Sequence, residues 1–413
     1  MSVIRLLHFA DAHIDMAGHG RHDPESGLPY RVMDFLKALD SIVDAAINEK
    51  VDLIIFAGDA YKDRTPVPTF QREWGRRILR LSRAEIPTLM LVGNHDLSPA
   101  AGRAHALQEF ETLEIPFIKV ISRPTVLTPQ DLGGLPLQVI ALPWVTRSGL
   151  MANLEPTAEN QKNINAKLEE LVTQFVLERI DEADPHIPLI LAAHASVQGA
   201  RYGSERTVML GNDMLLSTGL VTNPRLDYVA LGHIHKAQNL NEGHHPPVIY
   251  PGSIERVDFG EVNDEKYYVL AEVARGESKV QFCHLEGRHF YDRYVKLDIN
   301  ETDVLSHMQA ALPTVTEMEN AIVRLTVTYP RQLESLIDET ALRRYAEDAF
   351  EFHLLRKPQL QNRVRLPDDK TISSMPAQEL LRLYWNTINK DVDLPVELDQ
   401  LAAEIINPPD EES

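Results

Sequence analysis

Cysteine is almost absent from this sequence of 413 residues, which contains a single one, Cys283. One cysteine forms neither an intramolecular disulfide nor a zinc cluster, so Cys283 is interpreted as an ordinary strand residue. Long apolar runs are also lacking, which argues against a membrane-spanning helix, and the apolar start before Asp11 is too short for a signal peptide. A cytoplasmic location without a membrane partner is therefore expected.

Positive charge is the second shortage, with 41 Lys and Arg against 61 Asp and Glu and a net charge of -20. This balance argues against nucleic-acid binding through a globally basic surface. It does not exclude a nuclease. Carboxylates that bind metal ions add to the negative net charge of the sequence, but the bound divalent ions reverse the charge locally. The length favours one large domain and one or two smaller ones.

The sequence does contain short polar motifs at the ends of, or within, apolar runs. In chain order they are Asp11-Ala12-His13, Gly58-Asp59, Gly93-Asn94-His95-Asp96, His194 and Gly232-His233-Ile234-His235. Apolar runs such as 51–57 alternate with segments of helical spacing such as 30–50, which predicts an α/β fold with a largely parallel sheet. In such sheets ligands gather at the carboxyl ends of the strands.

These motifs supply seven metal-ligand candidates, namely Asp11, His13, Asp59, Asn94, His194, His233 and His235. Residues two apart share a side of an extended segment, so Asp11 with His13, and equally His233 with His235, can share an ion. Asp59 follows a glycine and is free to bridge two ions. Oxygen and nitrogen donors without thiolate suit Mn²⁺, Fe²⁺ or Zn²⁺.

Two neighbouring ions would activate a water and stabilise charge on phosphoryl oxygens, which predicts a two-metal phosphoester hydrolase. His95 is expected to stabilise the transition state or protonate the leaving oxygen. Asp96 is expected to set the tautomer and charge of His95.

The remainder of the chain carries no comparable cluster. A small α+β domain begins near Gly287, with a strand over 321–328 and helices over 304–312 and 340–355. Two apolar-faced helices follow over 376–406, and they either pack on the body of the protein or dock a partner. The predicted domains are 1–286, 287–366 and a C-terminal helical segment 372–413. Five arginines of one helix are interpreted as a solvated face, with phosphate contact as the alternative: Arg72, Arg76, Arg77, Arg80 and Arg83.

The order of these motifs resembles the calcineurin-like metallophosphoesterase superfamily. Within it the chain resembles the SbcD-type nucleases, which belong to the SbcCD exonuclease of double-strand-break repair, in the stretches 7–13, 232–236 and 250–261. The resemblance covers about residues 1–286 and implies a sandwich of two mixed sheets flanked by helices. The small α+β domain corresponds to the family's DNA-contacting capping domain, and the terminal helices to its ATPase-binding helices, in place and size only.

The resemblance also implies roles. Asp11, His13, Asp59 and His235 would hold one ion, and Asp59, Asn94, His194 and His233 the other, with Mn²⁺ as the working metal. Lys62, Arg64 and Lys236 are candidates for substrate contact. The partner would be an SbcC-like SMC-type ATPase, bound through the C-terminal helices in an assembly with two copies of each subunit, and the complex would lie on the nucleoid when bound to DNA.

One position departs from the pattern. Archaeal and eukaryotic relatives often carry a second catalytic histidine three residues after the bridging aspartate, where this chain has Lys62. Lysine is a poor general acid at neutral pH, although it can hold a phosphate by charge. The balance between exonuclease activity on duplex ends and endonuclease activity on single strands or hairpins is therefore left open.

Two other functions compete with the nuclease. A stand-alone phosphodiesterase or phosphatase on a small nucleotide or phosphoprotein would use the same ligands, but would leave the capping domain and the terminal helices without a use. A non-enzymatic scaffold presenting the terminal helices would have no need of all seven ligands.

Overall fold

The computed structural model describes residues 3–16, 21–97, 103–145, 164–203 and 215–359, together with a few residues after 374. The chain divides into two compact units, one of residues 1–291 with 320–322, the other of 292–319 with the residues from 323 onward. The predicted domain boundaries stay predictions. Most of the C-terminal helical segment over 372–413 lies outside the described residues.

Two six-stranded mixed sheets form the first unit. In spatial order the first sheet contains β14 (Glu277–Leu285), β13 (Lys266–Ala274), β1 (Ile4–Phe9), β2 (Leu53–Phe56), β3 (Thr88–Leu91) and β4 (Ile118–Ile121). The second contains β11 (Gln238–Asn239), β12 (Val248–Tyr250), β10 (Tyr228–Gly232), β7 (Leu189–His194), β6 (Gln138–Leu142) and β5 (Thr125–Leu127). A short parallel pair, β8 (Ser196–Val197) and β9 (Leu215–Leu216), lies beside them.

The central strands of each sheet are parallel; antiparallel strands occupy both edges of the second sheet and one edge of the first, whose other edge is the parallel strand β4. β1 to β4 run parallel to one another, as do β6, β7, β10 and β12. β13, β5 and β11 pair antiparallel to their neighbours. The prediction of an α/β fold is confirmed, and the two mixed sheets are those that the resemblance implies.

Helices cover the outer faces, which explains why the strands read as continuous apolar runs. Helices α1 (Tyr30–Asn48), α2 (Pro68–Arg83) and α3 (Gln108–Thr112) pack on the first sheet, and α4 (Ile164–Glu182) and α5 (Thr218–Val221) on the second. A third core, which includes Leu6, Ile55 and Ile190, lies between the sheets. Alternate side chains of each strand therefore enter different cores.

His8 belongs to the layer between the sheets, where its Nδ1 lies 3.0 Å from the hydroxyl of Tyr228. Burial lowers the pKa of His8 to about 3, so the ring is neutral. His8 is a residue of β1.

The arginines of α2 are largely neutralised by nearby carboxylates. Arg72, Arg76 and Arg77 pair with Glu73. Arg77 and Arg80 also reach Asp40 of α1. Compensated surface pairs of this kind offer little net positive charge, so the interpretation as a solvated face fits better than a phosphate-binding one.

From residue 290 onward the chain forms a three-stranded sheet of β15 (Phe290–Lys296), β16 (Ile322–Pro330) and β17 (Glu351–Gln359), in that order. Its helices are α6 (Val304–Ala311), α7 (Val315–Met318) and α8 (Glu339–Tyr345). The predicted strand over 321–328 and helix over 304–312 are confirmed.

The predicted helix over 340–355 is wrong in its second half. α8 ends at Tyr345, and β17 begins at Glu351. Leucine, arginine and lysine in β17 have good helix propensity, but pairing with the central strand β16 outweighs this local preference. Cys283 lies in β14, as an ordinary strand residue. Among the described helices none has the length and hydrophobicity needed to cross a membrane.

Candidate metal centre

The polar motifs gather where parallel strands of both sheets end. Asp11 and His13 follow β1, Asp59 follows β2 and Asn94 follows β3. His194 closes β7, and His233 follows β10. The pairing of β1 with β2, and of β7 with β10, holds these carboxyl ends side by side. The prediction that the motifs meet at strand ends is therefore confirmed.

A first ligand set consists of Asp11, His13 and His235, all buried, with donor atoms within 4.8 Å of one another. The Nε2 atoms of His13 and His235 lie 3.1 Å apart. Each Nδ1 faces an oxygen acceptor, the carbonyl of Tyr61 at 3.2 Å for His13 and Oε1 of Glu261 at 2.7 Å for His235. Each Nδ1 therefore carries the proton, and the two Nε2 lone pairs point at each other.

Two facing lone pairs repel unless a cation lies between them. Burial lowers the pKa of His13 well below its usual value, which favours the neutral ring rather than an imidazolium. Neutral imidazole nitrogens whose other nitrogen is bonded to an oxygen acceptor are the usual ligands of Zn²⁺, Mn²⁺ and Fe²⁺. The first set thus fits a divalent ion.

A second ligand set consists of Asp59, His194 and His233, again within 4.8 Å. The side-chain oxygen of Asn94 lies 3.0 Å from His194 Nε2 and 3.0 Å from His233 Nδ1. The Nδ1 of His194 faces the carbonyl of Ala57 at 2.6 Å. The structure therefore brings together all seven predicted ligands, in the two sets that the resemblance implies.

Asp59 lies between the two sets. Its Oδ2 is 3.4 Å from His194 Nε2 and 4.0 Å from His13 Nε2. Burial acts to raise the pKa of Asp59, but His194 outweighs it and holds that pKa well below its usual value. Burial acts to lower the pKa of His194, but Asp59 outweighs it and raises that pKa to about 9.

The backbone of the ligand loops is not extended. Asp11, His13, Asp59 and His233 have φ values of 50°, 40°, 63° and 97°, in the region that favours glycine. The prediction that His233 and His235 share an ion is therefore wrong, because the two residues belong to different sets. Sharp turns at strand ends redirect each side chain individually.

Two glycines permit these loops to approach one another. A Cβ on Gly93 would lie 2.1 Å from Oδ1 of Asp59, and one on Gly232 would lie 2.1 Å from the carbonyl oxygen of Ala57. Any side chain at these positions would displace the bridging aspartate or the strand that supports it.

His95 is held by the backbone. Its Nδ1 lies 2.8 Å from the carbonyl oxygen of Lys62, and its ring packs edge-on against His13 with centroids 5.2 Å apart. The Asp96 carboxylate instead accepts the backbone N–H groups of Asp59, Ala60 and Gly93 at 2.9 to 3.0 Å. The prediction that Asp96 sets the tautomer of His95 is thus wrong; Asp96 ties the β2 and β3 loops together.

Of the three predicted substrate cations, Lys62 and Arg64 line an open cavity of about 540 Å³ with Thr65 and His95. Asp15 orders this loop, since its carboxylate accepts the backbone N–H groups of Lys62 and Asp63. Lys236 instead lies 3.4 Å from Asp264. The cavity therefore places Lys62 and Arg64 beside His95, and two carboxylates, those of Asp15 and Asp63, also line it.

Sequence reasoning missed three residues at this site. Glu261 accepts from His235, and Lys266 donates to Glu261. The Trp144 ring lies 4.9 Å from that of His233 and 6.0 Å from that of His194, centroid to centroid. Glu261 falls within the stretch 250–261 that carries the resemblance, but a glutamate or lysine in a single sequence gives no sign of being buried.

Comparison with known proteins finds a family match over the part of the chain that contains all seven predicted ligands. The sequence model of the calcineurin-like phosphoesterases matches residues 4–237. The uncharacterized metallophosphoesterase YhaO of Bacillus subtilis (strain 168) is 26% identical over 280 residues, which cover 68% of this chain and 60% of YhaO.

A nuclease subunit and a DNA repair protein show about the same sequence identity to this chain as YhaO does. The D subunit of the nuclease SbcCD from Escherichia coli (strain K12) is 25% identical over 280 residues, covering 66% of each chain. The DNA double-strand break repair protein Mre11 of Archaeoglobus fulgidus is 24% identical over 305 residues, covering 70% of this chain and 61% of Mre11. The chain thus spans 60 to 66% of the length of these relatives.

The family match covers more than half of the chain and includes every predicted ligand. It also ends just beyond the Gly232-His233-Ile234-His235 motif, the last of the strand-end motifs around which the two ligand sets are built. The chain therefore belongs to the calcineurin-like phosphoesterase family and is a metallophosphoesterase.

Proposed function

We propose that the protein is a Mn²⁺-dependent DNA nuclease subunit that hydrolyses phosphodiesters at this centre. The observation that carries the proposal is the place of Asp59 Oδ2, within 4.0 Å of a histidine from each ligand set. A carboxylate between two sets is what a dinuclear hydrolase requires. The names of the SbcCD nuclease and of the repair protein Mre11 favour DNA as the substrate.

Asp11, His13, Asp59 and His235 would hold one divalent ion, and Asp59, Asn94, His194 and His233 the other. When bound, such a pair of ions lowers the pKa of a water and stabilises negative charge on phosphoryl oxygens. The donor set of imidazole nitrogen and carboxylate oxygen suits Mn²⁺, with Fe²⁺ or Zn²⁺ as alternatives.

His95 is proposed to deliver a proton to the leaving oxygen. In the imidazolium both ring nitrogens donate, and the Lys62 carbonyl at Nδ1 accepts one of those protons. Nε2 then carries the proton to be transferred. Burial lowers the pKa of His95, which opposes protonation of the ring, and the negative charge of a bound phosphodiester would favour it.

Lys62 and Arg64 are proposed to hold the DNA backbone in the cavity beside His95. Lys62 stands where other relatives often have a second catalytic histidine. A lysine can bind a phosphate by its charge but is a poor proton donor at neutral pH, so we assign Lys62 to binding rather than to proton transfer. Because the chain carries a net charge of -20, DNA contact is expected to be restricted to such local cations.

Replacing Arg64 with glutamine is expected to raise KM for a DNA substrate about 3- to 10-fold with little change in kcat, since one phosphate contact is lost. The slope of log affinity against log salt concentration should fall by about one. Arg83→Gln, at the last residue of α2, is the matched control. Equal salt slopes for the two variants would remove Arg64 from the DNA contact.

The partner is proposed to be an SMC-type ATPase bound through the C-terminal helices, with two copies of each subunit and a cytoplasmic location. The Escherichia coli relative is by name one part of a larger nuclease, which supports this assembly. The alternative, a stand-alone phosphodiesterase on a small substrate, is favoured by the acidic net charge.

The deciding experiment incubates the purified full chain with Mn²⁺ and labelled duplex or hairpin DNA, beside a chromogenic phosphodiester. Cleavage of DNA that stops with EDTA is expected. If only the chromogenic ester turns over, the assay is repeated with the co-expressed ATPase. DNA that stays intact in both forms would overturn the nuclease proposal in favour of the small-substrate enzyme.

A further inference from the structure

Behind His235 lies a buried charged network that the hydrolytic chemistry does not use. The Glu261 and Lys266 side chains are both fully buried, with Lys266 Nζ 2.6 Å from Glu261 Oε2. Nζ also donates to Ser253 Oγ at 2.7 Å. Burying a lysine and a glutamate costs desolvation energy, which their ion pair and the surrounding hydrogen bonds offset in this network.

Both carboxylate oxygens of Glu261 accept hydrogen bonds. Oε1 accepts from His235 Nδ1 at 2.7 Å. Oε2 accepts from Lys266 Nζ at 2.6 Å, from Val257 N at 3.0 Å and from Ser253 Oγ at 3.2 Å.

The same segment is tied to the ligand loops through its backbone. Ser253 N donates to the carbonyl of His235 at 3.1 Å, and Ile254 N donates to the carbonyl of Asp11 at 3.4 Å. Gly252, at φ 82°, has no room for a Cβ, which would lie 2.5 Å from the His235 carbonyl oxygen. The carboxylate of Glu261 therefore has a fixed position relative to the His235 ring.

We propose that Glu261, held by Lys266 and Ser253, is a positioning residue that fixes His235 with its Nε2 lone pair directed into the first ligand set. The proposal rests on His235 being a metal ligand, as assigned under the proposed function. Oε2 of Glu261 accepts from Lys266, Val257 and Ser253, and Oε1 faces His235 Nδ1 at 2.7 Å and accepts from it. His13 and His194 have only backbone carbonyls at Nδ1, and a carboxylate acceptor makes the opposite nitrogen a stronger donor to a metal.

The test is a Mn²⁺ titration of the full chain, with free Mn²⁺ followed by electron paramagnetic resonance. Glu261→Gln is expected to weaken one of two Mn²⁺ sites about 10- to 100-fold and to leave the other near its wild-type affinity. Glu255→Gln is the matched control. Glu255 is 1% exposed and lies in the same segment. Its carboxylate accepts the backbone N–H groups of Arg256 and Arg288, and both affinities should stay unchanged.

Thermal unfolding in EDTA checks that each variant folds. If Glu261→Gln does not fold, the double variant Glu261→Gln with Lys266→Met removes both buried charges and should show the same loss at one site. Wild-type affinity at both sites in a folded variant, or failure of both variants to fold, would leave Glu261 with a structural role and overturn the proposal.

His235→Ala separates this outcome from failure of the metal assignment. If His235→Ala weakens one site and Glu261→Gln does not, only the positioning role is lost. If His235→Ala leaves two normal sites, the ligand assignment under the proposed function is itself wrong.

Discussion

Asp59→Asn is expected to lower phosphodiester hydrolysis by about 10³-fold or more, since several kcal/mol of charge stabilisation depend on holding both ions. Asp59 Oδ2 lies between the ligand sets, 3.4 Å from His194 Nε2 and 4.0 Å from His13 Nε2. The asparagine keeps the shape and can still accept the backbone N–H of His95, which Asp59 Oδ1 accepts at 2.8 Å. The measurements are hydrolysis of a chromogenic phosphodiester and the number of Mn²⁺ ions bound.

Asp52→Asn is the matched control, because Asp52 lies at the opposite end of β2 and accepts the backbone N–H of Arg5 at 2.7 Å. It should hydrolyse the ester at the wild-type rate. Near-normal hydrolysis by Asp59→Asn, with two Mn²⁺ bound, would mean that the bridging position has been assigned to the wrong carboxylate.

His95→Gln is expected to lower kcat about 10²- to 10⁴-fold while both Mn²⁺ affinities stay near wild type, because general acid catalysis contributes about that factor. His95 belongs to neither ligand set. Its Nδ1 is hydrogen-bonded to the Lys62 carbonyl, and its ring lines the cavity beside Lys62 and Arg64. The loss should be largest for substrates with a poor leaving group and small for nitrophenyl esters, whose leaving oxygen needs no proton.

This dependence on the leaving group distinguishes proton transfer from a contribution to binding. His186→Gln serves as the control, since His186 is exposed and precedes β7, at the end of that strand opposite His194. An equal loss of kcat with good and poor leaving groups would contradict the general acid role, as would a fall in Mn²⁺ affinity in parallel with kcat.

Much of the first unit can be predicted from the sequence. The spacing of Phe35, Leu39 and Ile42, for example, predicts a helix over 30–50, and α1 spans Tyr30–Asn48. Strands that are buried on both faces read as uninterrupted apolar runs, and a polar residue directly after such a run marks a strand end. Both signals are local, so one sequence is enough to find them.

The predictions fail where distant contacts outweigh local preference. Residues 351–355 belong to a predicted helix, but they form part of an edge strand because β16 offers a pairing partner. Asp96 neighbours His95 in sequence, yet its carboxylate accepts from loops that follow two different strands. No pattern within a few residues of either position carries that information.

The sequence by itself determined which side chains are available to bind metal and that they follow strands, because residue type and apolar periodicity can be recognised within a few consecutive residues. The spacing of His233 and His235 favours one shared ion; the tertiary structure decided that the two residues enter different sets, because the backbone turns at His233 with φ 97°. It also decided which groups contact the ligands: Glu261 pairs with the buried Lys266 and accepts a hydrogen bond from His235, which precedes it by 26 residues. Coordination depends on where lone pairs point, and that direction is set by packing.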